Sequence, residues 1–144
     1  MADMTALLDQ AAEEVLENMF FSGVIGEVPG EPAGERLCAT VAFAGSSEGE
    51  LTVSAAASTM AVLAAGFLGV EENEIADTQV RSVAGELANV LCGAFLGHLE
   101  PLGNFRISPP RITDVQGAGA VRHMPLRKYF ELMEGDLAVG LTVN

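Results

Sequence analysis

An α+β domain, a largely antiparallel sheet with helices laid on it, is what the sequence predicts, and three observations predict it. Leu37, Ala39, Val41 and Phe43 alternate with Cys38, Thr40 and Ala42, the period of a strand with one strongly apolar face. Leu137, Val139, Leu141 and Val143 repeat that period near the end of the chain. Between the two, Val80, Val83, Leu87, Val90, Leu91 and Ala94 fall together on a helical wheel drawn over residues 78–99.

Taken in order, a first helix is expected over residues 9–20, where Asp9 and Glu13 suit the positive end of a helix dipole. Residues 29–34, beginning with Pro29 and ending with Gly34, form a loop into the first strand, 37–43. Gly45 to Gly49 turn the chain so that residues 50–55 return antiparallel. Ser58 then caps a short Ala-rich helix over 59–68. The stretch 51–70 has no charged residue and is long enough to span a bilayer. Its Ala, Ser, Thr and Gly content, its acidic flanks and its division into strand, cap and helix argue against a span.

After the helix over 78–99, residues 105–113 read as extended. Pro109 and Pro110 cannot donate to a ladder, so a bulge, an edge or a break is expected there. Residues 117–120 are small, and a mobile loop is expected there. The segments 129–133 and 137–143 flank Glu134, Gly135 and Asp136 as a second hairpin. The last strand is expected to offer an edge for pairing with another chain.

A chain of 144 residues, 49% of them hydrophobic, fits one compact domain over 1–144 with a sizeable core. Charge is unevenly spread: residues 1–80 hold 14 acids and one base, Arg36, whereas residues 81–144 hold six of each. That balance argues against nucleic acid and against an anionic membrane as partners. Five of the seven bases lie between Arg106 and Lys128, as strands alternating outward charges would place them. Cys38, Cys92, His98 and His123 have no metal-ligand spacing, and reduced, buried cysteines are expected. Residues 1–14 carry acids and no Lys or Arg, unlike the basic start of a signal peptide, so a cytoplasmic location is expected.

The most informative feature is a stripe along the predicted helix, Ser82-x-x-x-Glu86-x-x-Asn89-x-x-x-Gly93, about 140° from the apolar face and so directed outward. This spacing and its setting resemble the motif of the CheX/CheC/FliY phosphatases of bacterial chemotaxis, and the match is complete. The order of helices and strands resembles that family over most of the chain. Asp9 and Glu13 weakly echo the start of the motif, but Leu16 stands where the Asn would be. One site per chain is therefore implied, as in the CheX branch, and with it a CheX/CheC-like fold.

What the resemblance implies is a phosphatase acting on the aspartyl phosphate of a CheY-type response regulator, with Glu86 and Asn89 as catalytic residues and Ser82, Glu86 and Gly93 meeting the partner. Asn89 would position water, and Glu86 would pair with the receiver's active-site lysine. Gly93 would let the receiver backbone approach, and Ser82 would border it. Mg²⁺ would come with the receiver, leaving this chain with no metal or cofactor of its own. A homodimer joined through the sheets is likewise implied. A non-enzymatic adapter or switch protein that binds a phosphorylated receiver is the alternative.

Overall fold

The computed structural model describes residues 3–116 and 119–144. Helix α1 (Met4–Met19) is followed by β1 (Val24–Glu27), β2 (Arg36–Gly45), β3 (Gly49–Ala56), α2 (Ala57–Leu68), a 3-10 turn (Glu72–Glu74) and α3 (Asp77–Leu99); β4 (Phe105–Ile107), β5 (Arg111–Val115), β6 (Leu126–Leu132) and β7 (Gly135–Val143) complete it. The strands form one antiparallel sheet ordered β1-β6-β7-β3-β2, with β4 and β5 both paired to the free side of β2. This is the α+β architecture that the strand and helix periods predict.

Alternation decides which side of the sheet is covered. Leu37, Ala39, Val41 and Phe43 from β2, Leu51, Val53 and Ala55 from β3, and Leu137, Val139 and Leu141 from β7 are buried in one cluster with α1, α2 and α3. The first helix starts earlier than expected because Asp3 caps it, its carboxylate accepting the amides of Thr5 (3.1 Å) and Ala6 (3.3 Å). Ser58 does not cap α2: β3 runs straight into the helix, whose N-cap is Ala56 without a side-chain bond. Thr59 instead turns inward and donates to the Glu134 carbonyl at 3.4 Å. The uncharged stretch 51–70 thus divides into strand and helix within the domain.

The last strand is not an edge. β7 pairs with β3 on one side and β6 on the other, because the second hairpin enters the sheet at its middle; the edges are β1 and the β4/β5 pair. Its turn is Met133–Glu134, slightly ahead of the Glu134–Asp136 expected. The 117–120 loop falls partly outside the described residues. α3 has the length and apolarity to cross a bilayer, yet 50% of that stretch is buried inside the domain.

A polar clasp sits on the opposite face of the sheet, at one end of β2, β3 and β7. Arg36, 2% exposed, donates to both carboxylate oxygens of Asp136 (3.2 and 2.8 Å), to Ser54 Oγ (2.9 Å) and to the Ser54 carbonyl (2.8 Å). The Glu31 carboxylate lies 3.1 Å from Arg36 Nε and accepts the amides of Ala120 (3.0 Å) and Val121 (3.1 Å). Two loops are so tied to β2, β3 and β7. Of the bases between Arg106 and Lys128, Arg111 pairs with Glu50, and Lys128 with Asp9 and Glu27.

Candidate functional site

α3 carries the stripe. Its first turn is closed by Gln79, whose side-chain oxygen accepts the Ala76 amide at 2.8 Å. Val83, Ala84, Leu87, Ala88, Leu91, Cys92 and Phe95 are buried, while Val90 and Ala94, expected on the apolar face, lie at its half-buried margin. The buried face of the helix is therefore centred nearer Ala84, Ala88 and Leu91. Ser82, Glu86 and Gly93 are exposed and Asn89 is half-buried. Gly97, one turn further on, is also exposed.

Among the described residues, the side-chain bonds of α3 involve Asp77, Gln79, Arg81 and His98. Ser82, Glu86 and Asn89 take no part in them. A carboxylate and a carboxamide one turn apart thus sit on a rigid helix with their bonding capacity unspent. Such a pair can meet one cation and one polarised water or anion at the same time.

Contacts that the sequence does not reveal hold α3 against its neighbours on either side of the stripe. A Cβ placed on Gly85 would lie 2.8 Å from Pro110 Cγ and 3.2 Å from Ile112 Cδ1, so the glycine lets the β4–β5 break lie flush against the helix beside Glu86. Ser108 makes that break tolerable: its amide donates to the Ala42 carbonyl (2.8 Å) and its hydroxyl accepts the Ala42 amide (2.9 Å), filling the ladder where the prolines cannot. Arg81 donates from Nη2 to both oxygens of Asp114 on β5 (2.7 and 2.6 Å) and from Nε to Asp77 (3.1 Å). Asp114 is the main reason that the Arg81 guanidinium is held even more firmly protonated than usual. On the other flank His98 meets Glu14 of α1 at 3.0 Å. The signals for these contacts were a glycine inside a helix and a proline pair, but neither reveals its partner.

The stripe is a helix face and not a cavity. A groove of about 610 Å³ lies elsewhere, between the β2–β3 hairpin, β4 and Asn144. Among the described residues no three His, Cys, Asp or Glu side chains are grouped to hold a metal. Burial pushes the Cys92 thiol up to about 12 and raises that of Cys38 as well, so neither is a ready nucleophile. On α1, Asp9 is engaged by Lys128 and Leu16 is fully buried, so the partial echo of the motif has no free polar pair.

A family model described as chemotaxis phosphatase CheX matches residues 37–125. No curated protein matches the chain. Among solved structures, a chemotaxis protein CheX from Desulfovibrio desulfuricans is 19% identical with a TM-score of 0.75, the match covering 99% of this chain and 100% of that one. A chemotaxis protein CheX from Vibrio vulnificus is 15% identical, with a TM-score of 0.79 over 99% of this chain and 97% of that one. A chain from the CheX-CheY-BeF3-Mg²⁺ complex of Borrelia burgdorferi is 21% identical, with a TM-score of 0.74 over 100% and 99% of the two chains. At these identities the likeness is one of fold.

Proposed function

The chain belongs to the CheX family of chemotaxis phosphatases, and from that premise we propose that it hydrolyses the aspartyl phosphate of a CheY-type response regulator. The observation that carries this reading is the unspent pair Glu86 and Asn89, one turn apart on the outer face of α3. An acyl phosphate needs little covalent help. Its hydrolysis needs a water in line with the leaving carboxylate oxygen and relief of the charge that gathers on the phosphoryl group.

Asn89 is suited to the first task. Its carboxamide oxygen accepts a hydrogen bond from the water and its nitrogen reaches towards a phosphoryl oxygen, without the repulsion a carboxylate would bring. Glu86 pairs with the receiver's active-site lysine and orients the two proteins. Gly93 lets the receiver backbone come close, and Ser82 borders the contact. Mg²⁺ belongs to the receiver's phosphate site. The Borrelia burgdorferi complex, which holds a CheX with CheY and Mg²⁺, supports a receiver as the partner here.

The same reading has the chain acting as one domain over 1–144, in the cytoplasm, and as a homodimer joined across the sheet. The small residues Thr40, Ala42 and Thr142, half-buried on the face of the sheet away from the helices, support that pairing.

The test is the decay of radiolabelled phosphate on candidate receivers, with and without this protein. Asn89→Ala should remove roughly a hundredfold of the acceleration while binding stays nearly intact, and Glu86→Ala should weaken both. An unchanged rate in Asn89→Ala would remove the water-positioning role. Binding without acceleration on any receiver would make the protein an adapter.

A further inference from the structure

We propose that a second docking site, for a basic segment of another protein with an apolar anchor, lies at the C-terminal end of α1. A cleft of about 220 Å³ opens there between Phe20 and Phe21, the second half of α2, and Val70 to Glu72, with Glu134 of the β6–β7 turn closing it. None of the stripe residues lines it. Its most telling residue is Phe21, which has a φ of 55°. A bulky side chain in the left-handed region is strained, and glycine or asparagine is usual there.

The strain is held in place by the structure around it. The amides of Phe20 (3.3 Å) and Ser22 (2.9 Å) both donate to the Leu16 carbonyl, closing α1 over Phe21. Ser22 Oγ donates to Glu134 Oε1 at 2.6 Å. A Cβ on Gly66 would come within 2.7 Å of the Phe20 carbonyl oxygen, so α2 approaches this turn as closely as backbone allows. Phe20 enters the core and stacks on Phe67 with centroids 4.8 Å apart. Phe21, by contrast, is turned out and 76% exposed. Strain that holds an aromatic ring in water, when a glycine would relieve it, points from an outlier to a binding role.

Charge selects the occupant. Apolar surface comes from Phe21, Val62 and Val70, with Met133, 81% exposed, next to Glu134 in the turn. The charged residues lining the cleft are Glu71, Glu72 and Glu134, all acids. A segment that places a large apolar side chain against Phe21 and Val70 and flanks it with Lys or Arg satisfies both features. A second copy of this chain would bring acid against acid across a two-fold axis, and an anionic bilayer would be repelled.

The test uses the full chain and a labelled amphipathic Leu/Lys peptide of about 14 residues as the probe. A Leu/Glu peptide of equal length and phosphatidylserine vesicles are the comparators. Phe21→Gly keeps the left-handed turn and should hold or raise the melting temperature while weakening the Leu/Lys peptide by at least about tenfold. Glu72→Lys should weaken it too, and amide shifts in ¹⁵N spectra should gather at residues 20–22, 62–72 and 133–134. The proposal is overturned if Phe21→Gly leaves the affinity unchanged or if the shifts spread over the acidic surface. Equal binding of the Leu/Glu peptide or the vesicles would also overturn it, as would Phe21-dependent self-association in sedimentation.

Discussion

Gly93 separates what a residue does for the helix from what the proposed function asks of it. A Cβ there would find no heavy atom nearer than Ile107 Cδ1 at 4.0 Å, and glycine inside a helix is about 1 kcal/mol less favourable than a good helix former. Gly93→Leu should therefore raise the unfolding free energy by roughly 0.5–1 kcal/mol in a denaturant titration and abolish receiver binding. A loss of both would make Gly93 a packing residue. The stripe was legible in the sequence because a period of 3.6 is local, and Ser82, Glu86, Asn89 and Gly93 needed no knowledge of the rest of the chain. Gly85 was not legible: its reason is the ring of Pro110, a contact that exists only after β4 and β5 have joined β2.

At the scale of elements, the contact between α3 and the β4–β5 break is the one most exposed to test. Gly85→Leu forces atoms into Pro110 and Ile112 and should cost about 1–3 kcal/mol of stability. Because Glu86 is the next residue, it should also lower the rate of receiver dephosphorylation, measured at a temperature where the variant remains folded. Arg36→Met tests the clasp on the other face. It leaves Glu31, whose side chain is 1% exposed, and Asp136 without their cation, so a loss of about 3–5 kcal/mol is expected in the same titration.

The hairpins were readable at this scale, since β2 and β3 alternate cleanly and Phe43 pairs with Gly49. The first edge strand was not, because Val24–Glu27 has four residues, one of them a glycine, and a bulge. Nor does a strand's own alternation say whether it will lie at an edge. β7 is alternating and apolar, and it became central because β3 and β6 both pair with it.

For the molecule as a whole, the ionisable groups with raised values all act in one direction. Burial pushes Cys92 up to about 12 from 9.0 and raises Cys38; the hydrogen bond to Glu27, then that to Asp9, raises Lys128 from 10.5. Each such group binds its proton more tightly folded than unfolded, so its contribution is complete below the unfolded value and lost as pH rises through the folded one. Stability should fall between pH 9 and about 12, chiefly through Cys92. Equilibrium unfolding across that range should show it, and Cys92→Ala should flatten the slope.

The sequence by itself determined the α+β class, the two hairpins, the outward stripe with Glu86 and Asn89, and the uneven charge. Each of these depends on periods of two or 3.6 residues, or on counts that distance along the chain does not alter. Only the tertiary structure decided that the C-terminal strand is central and that Gly85 receives Pro110. The same holds for the pairing of Arg36 with Glu31 and Asp136 and for the strained turn that keeps Phe21 in solvent. Those contacts join segments far apart in the chain, and their energies exist only once the sheet has brought the segments together.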